Sequence, residues 1–137
     1  MNIIDTPIKK THVLIIDDDE VMRRLYGSLL GKAGYEVIYS PDSVQGRELA
    51  RRFHPDLILM DIEMPVENGI DASSRLKKES QTADIPIVLL TNADLSIEAE
   101  KWMKELAITD YIQKGISNDD FIERIEKIIN KTVDKTT

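Results

Sequence analysis

The chain has 137 residues, room for one compact domain at the usual allowance of roughly 100–200 residues each. Apolar side chains make up 42% and charged ones 31%, too much core-forming material for a disordered chain. Cysteine is absent, which excludes disulfides, thiolate metal sites and cysteine catalysis, and 18 basic against 25 acidic residues leave a net charge of −7, which argues against a nucleic-acid-binding face.

Met1–Lys10 lacks the apolar stretch of a signal peptide and reads as a solvated extension. No apolar run approaches the roughly 18 residues of a membrane span, so a cytoplasmic domain over residues 11–130 is expected, with 131–137 as a tail. HVLII (His12–Ile16) opens the domain as a strand, and Val21, Met22, Leu25, Leu29, Leu30 and Ala33 follow as a helical stripe stopped by Gly34. YEVIY (Tyr35–Tyr39) is a second strand, then Leu49, Ala50 and Phe53 a weaker stripe ended at His54–Pro55. DLILM (Asp56–Met60) is a third strand, before a poorer helix over Asn68–Ser80 anchored by Ile70, Ala72 and Leu76. IPIVLL (Ile85–Leu90) is the fourth, followed by a stripe of Leu95, Ala99, Trp102, Met103 and Leu106. DYIQ (Asp110–Gln113) is the fifth, and a Ser117–Asp120 capping cluster starts a helix on Phe121, Ile122, Ile125, Ile128 and Ile129.

The first, third and fourth strands are nearly continuous apolar runs, the pattern of strands covered on both faces in a parallel sheet. Strand and helix alternate throughout, which predicts a doubly wound α/β domain with its crevice beyond the carboxyl ends of the strands. The polar residues found there are Asp17, Asp18 and Asp19 after the first strand, Asp61 after the third, Thr91 and Asn92 after the fourth, and Lys114 after the fifth. Each alone suits a helix cap, a turn or solvent. Gathered on one rim, the carboxylates repel one another unless a cation lies among them. Oxygen donors without His or Cys suit Mg²⁺, and Mg²⁺ beside an aspartate, a hydroxyl and a lysine is equipment for holding a phosphoryl group.

The strings VLIIDDDEVMRRL, LILMDIEMPVENG, IVLLTNAD and DYIQKG, in that order, resemble the response-regulator receiver domains of two-component signalling, over about Thr11–Asn130. The resemblance implies a flavodoxin-like fold of five parallel strands in the order 2-1-3-4-5 with five helices. It implies Asp61 as the phosphorylated residue, and a Mg²⁺ site from Asp17, Asp18, Asp61 and the Glu63 backbone carbonyl. Lys114 is the implied phosphate-pairing lysine, Thr91 the switch hydroxyl and Tyr111 the switch aromatic, while Pro65 and Gly69 fit the loop after the acceptor. The donor is then a phosphohistidine on a sensor kinase or phosphotransfer protein, or a small acyl phosphate. The output is contact with a further protein through the face of the fourth helix, fifth strand and fifth helix, by a monomer or weak dimer that accepts phosphate and loses it slowly rather than turning over substrate.

Gly115 stands where the family usually has a proline after a cis bond, and a non-proline cis bond costs about 2.5–4 kcal/mol, so Lys114–Gly115 is expected to be trans. Asn92 stands where a small residue is usual, and the positions of Glu63 and Ala93 line the path of hydrolytic water. The pair Arg23-Arg24 reads as a solvated helix face, and Trp102 as a packed residue. Two other readings compete. Asp17-x-Asp19 after an apolar strand also matches the first motif of haloacid-dehalogenase-type phosphatases, with Asp17 as nucleophile and Asp19 as general acid. Gly115 and Asn92 also fit a receiver that binds partners without phosphate.

Overall fold

The computed structural model describes residues 10–92 and 94–136, with side chains as far as Lys131. Its elements alternate from end to end: β1 (His12–Ile16), α1 (Glu20–Lys32), β2 (Glu36–Ser40), α2 (Ser43–Phe53), β3 (Leu57–Asp61), α3 (Gly69–Lys78), β4 (Ile87–Thr91), α4 (Ile97–Glu105), β5 (Asp110–Gln113) and α5 (Asn118–Thr136). The strands are all parallel in the order β2-β1-β3-β4-β5. Chain order reverses at β1, which has β2 on one side and β3 on the other, so the crevice opens beyond Ile16 and Asp61.

The central strands bury both faces, as their unbroken apolar runs require. Val13, Ile15, Leu57, Leu59, Val88 and Leu90 face Tyr26 and Leu30 of α1 and Phe121, Ile125 and Ile128 of α5. Leu14, Ile16, Ile58, Met60, Ile87 and Leu89 face Ala50 of α2, Ala72 and Leu76 of α3, and Met103 of α4. Each fully buried Leu or Ile contributes about 1.5–3 kcal/mol, so these two layers hold the strand ends in place. Among the described residues, no helix is long and apolar enough to cross a membrane.

Local chemistry sets the helix starts. Asp19 caps α1 by accepting from the Val21 and Met22 amides, Asp42 caps α2 at the Gln45 amide, and Asn68 caps α3 at the Asp71 amide. Ser117 Oγ accepts from the Asp120 amide, as the capping cluster predicts for α5. α2 stops at His54, which takes a left-handed conformation, φ 45°.

Several stripes are rotated from their predicted facing. In α1, Val21 and Leu25 are exposed and the core is reached through Met22, Tyr26 and Leu30, because the sheet selects the i, i+4, i+8 row one position on. Phe53 is 53% exposed at the end of α2 and Trp102 is 50% exposed on α4, where packing is predicted. Ile85 is buried but precedes β4, which starts after Pro86. The Met1–Lys10 extension lies outside the described residues except for Lys10, and the side chains of the predicted tail lie outside them after Lys131.

Candidate functional site

The ends of β1, β3, β4 and β5 converge as the sequence predicts, and each of their polar residues is fixed from a different element. Asp17 directly follows β1, and its amide donates to the Ser40 carbonyl at the end of β2 at 3.1 Å. Its Oδ1 accepts from the Asp19 amide at 2.9 Å, which folds the chain sharply into α1. Asp61 ends β3, and Glu63 N–H reaches back to its Oδ1 at 3.2 Å. Thr91 ends β4, and its carbonyl accepts from the Lys114 amide at 2.7 Å, placing the lysine just past β5.

Lys114 joins the acids. Its Nζ lies 2.7 Å from Asp17 Oδ2 and 3.4 Å from Asp61 Oδ1, with Asp17 fully buried and Asp61 nearly so. Asp18, exposed at the mouth, completes a group in which one oxygen from each of Asp17, Asp18 and Asp61 lies within 4.8 Å of the others. Burial, and then repulsion from Asp17, push the Asp61 carboxyl up from 3.8 to about 7, against the opposing pull of Lys114. For Lys114, burial works to lower the pKa, but its hydrogen bond to Asp17 and the charges of Asp17 and Asp61 outweigh burial and raise it.

Asp17 and Asp61 thus both lean on the one Lys114 ammonium, at 2.7 and 3.4 Å, with the Asp18 carboxylate gathered beside them. Under-compensated oxygens at one mouth, with no His or Cys among them, fit a small hard divalent cation. Asp17, Asp18 and Asp61 are the side chains able to hold it, with Asp18 open to solvent for exchange.

Asp19 Oδ1 accepts from the Val21 and Met22 amides at 2.9 and 3.4 Å, so Asp19 serves as the cap of α1. The Lys114–Gly115 bond is trans, since no cis peptide occurs among the described residues, and Gly115 turns the chain at φ 94°. Tyr111 is half-buried on β5 and lines a surface groove of about 460 Å³ with Leu95, Met103, Lys104 and Ile108. Glu63 and Asn92 are exposed at the mouth, and Ala93 lies outside the described residues.

Two residues of this region escape sequence reasoning. Arg23 is half-buried rather than solvated, donating from Nη1 to the Asp17 carbonyl at 2.6 Å, whereas Arg24 does face solvent, paired with Glu20. Tyr26 stacks on Phe121 with centroids 4.5 Å apart, and burial raises the pKa of its hydroxyl, which has Lys114, Asp17 and the Gly115 backbone as electrostatic neighbours. No spacing rule links an α1 side chain to these partners. The packing of α1 against α5 brings Tyr26 onto Phe121, whereas Arg23 reaches back to the Asp17 carbonyl six residues earlier, across the turn from β1 into α1.

Comparison with known proteins agrees with this geometry. The family model described as "Response regulator receiver domain" matches residues 13–126. The polar-differentiation response regulator DivK of Brucella ovis is 33% identical over 117 residues, 85% of this chain and 94% of that protein. The DNA-binding dual master transcriptional regulator RpaA of Synechocystis is 32% identical over 120 residues, 88% of this chain but 49% of that protein, so the chain spans about half its length. Among solved structures, the chemotaxis protein CheY4 of Vibrio cholerae superposes with a TM-score of 0.81 at 26% identity, covering 87% of this chain and 98% of that one.

Proposed function

Since this chain belongs to the response-regulator receiver-domain family of two-component signalling, we propose that it accepts a phosphoryl group on Asp61 and reports it by contact with another protein. The observation that carries this reading is the convergence of Lys114 Nζ on Asp17 Oδ2 and Asp61 Oδ1, with Asp18 at the open edge. The donor is a phosphohistidine of a sensor kinase or phosphotransfer protein, or a small acyl phosphate. One Asp61 oxygen forms the new O–P bond while the donor's bond to phosphorus breaks: an N–P bond whose electron pair returns to the imidazole or, from an acyl phosphate, an O–P bond whose pair leaves on the carboxylate.

A Mg²⁺ ion held by Asp17, Asp18, Asp61 and the Glu63 carbonyl would neutralise charge on the transferring phosphoryl oxygens. The chain's own groups do the rest. Glu63 N–H orients the Asp61 carboxylate, and the rigid end of β3 keeps it facing the mouth. Lys114 supplies a preorganised positive charge that shifts from the carboxylates toward the phosphoryl group once it arrives. Thr91, only 5% exposed at the end of the adjacent strand, would donate its hydroxyl to a phosphoryl oxygen. Its movement would free space for the Tyr111 ring to leave the α4–β5 groove and turn inward, altering the α4–β5–α5 face.

The test is incubation with Mg²⁺ and acetyl phosphate, followed by intact mass and peptide mapping. One acid-labile phosphate per chain on Asp61 is expected. Rapid turnover without stable label points to a phosphatase, and no incorporation to a partner-binding module independent of phosphate.

A further inference from the structure

Residues 62–68 join β3 to α3 and carry the Glu63 amide that donates to Asp61 Oδ1 at 3.2 Å. At the tip of this loop Val66 is fully exposed and takes φ 71°, a left-handed conformation that a β-branched residue holds only when its surroundings enforce it. The next residue supplies the restraint. Glu67 turns inward, its side chain 12% exposed, and receives both prongs of Arg47 from α2: Nε to Oε1 at 3.0 Å and Nη2 to Oε2 at 3.2 Å. Arg75 of α3 lies 3.1 Å from the same carboxylate, and Ser43 Oγ donates to the Glu67 carbonyl at 3.1 Å. Gly69 N–H closes the base of the loop on the Ile62 carbonyl at 2.8 Å.

We infer that Glu67, through its bidentate ion pair with Arg47, is a positioning residue for the acceptor carboxylate. By holding the loop in its left-handed form, the pair keeps the Glu63 amide on Asp61 Oδ1 and Asp61 turned toward Asp17 and Asp18. The inference rests on the metal-assisted acceptor reading above. The planar fork of Arg47 fixes direction as well as distance, which an ammonium does not. An ion pair largely out of solvent adds little to stability compared with apolar residues of the same size, so its distinctive contribution here is orientation. Neither residue touches a reacting atom.

Mg²⁺ alone is the probe, titrated by calorimetry into the full chain. Glu67→Gln and Arg47→Met should each weaken Mg²⁺ binding about three- to tenfold, and the double variant no further than either alone, because both act through one contact. The Glu63 amide proton should also move upfield in both as its hydrogen bond to Asp61 loosens. Arg51→Met is the control: it breaks the α2–α3 pair with Glu79 (2.8 Å) without touching the loop. It should cost stability while leaving Mg²⁺ affinity and the Glu63 signal at wild-type values. Should Glu67→Gln fail to fold, Arg47→Lys keeps the charge, loses the fork and carries the same expectation. Wild-type affinity in the loop-pair variants, or an equal loss in Arg51→Met, overturns the inference while leaving the acceptor site standing. Absence of Mg²⁺ binding by the wild type overturns both.

Discussion

Replacing Asp61 by asparagine should make the metal-free protein more stable at neutral and alkaline pH. The folded Asp61 carboxyl, raised first by burial and then by Asp17, titrates at about 7 instead of 3.8. A group held above its unfolded pKa carries more protons folded than unfolded, so it lowers stability as pH rises between roughly 4 and 7 and has no further effect above that range. Lys114 is raised too, but its contribution is lost only above its ordinary 10.5 and stays constant through this window. At about 1.4 kcal/mol per pKa unit the whole displacement amounts to about 4 kcal/mol. Water and ions reaching the site through the exposed Asp18 edge reduce that to about 1–3 kcal/mol. Asparagine keeps the shape, can still accept from Glu63 N–H, and leaves Lys114 with Asp17 at 2.7 Å. For a chain of this length the gain corresponds to a Tm higher by about 3–12 °C at pH 8. The assay is thermal unfolding in EDTA from pH 5 to 8.5. The gap should close toward pH 5, where wild-type Asp61 is protonated, and Mg²⁺ at pH 8 should raise the wild type more than the variant. A variant that melts no higher than wild type at pH 8, or by the same margin at both pH values, refutes the reasoning.

Asp61→Asn should also abolish labelling by acetyl phosphate, measured by intact mass, and Asp18→Ala should weaken Mg²⁺ binding in calorimetry; stoichiometric phosphate on the first variant would reject the acceptor assignment. Glu63 and Asn92 are exposed within two residues of Asp61 and Thr91, and the proposed acceptor chemistry brings hydrolytic water past them, so Glu63→Ala or Asn92→Ala should speed loss of phosphate about two- to tenfold, followed as decay after donor removal with Mg²⁺ present. Gly69→Ala should destabilise by about 2–4 kcal/mol in chemical unfolding, because the new Cβ would stand 2.1 Å from the Asp61 carbonyl oxygen and force the acceptor's own backbone to move. Trp102→Ala should cost under about 1 kcal/mol in the same measurement, since half of that side chain is already in water.

Much of this protein is legible along the chain because its signals are local or periodic. Unbroken apolar runs at β1, β3 and β4 identify buried parallel strands, and capping residues such as Ser117 mark helix starts; the two together define a doubly wound sheet and the rim where its strands end. Asp17, Asp18, Asp61, Thr91 and Lys114 were visible for the same reason, as polar residues ending apolar runs. Periodicity tells less about which way a helix faces when two adjacent rows are both apolar. Val21 and Leu25 compete with Met22 and Tyr26 in α1, and only docking on the sheet chose the second row. Trp102 and Phe53 likewise sit on apolar stripes that their helices leave half-covered. Two contacts decided purely by tertiary structure join elements far apart in sequence, Tyr26 against Phe121 and Arg47 forked onto Glu67, while Arg23 reaches the Asp17 carbonyl only six residues back across the turn into α1. A long charged or aromatic side chain satisfies solvent and core about equally well in the sequence pattern. Where it points is settled by which partner the packed sheet and helices bring within hydrogen-bonding reach.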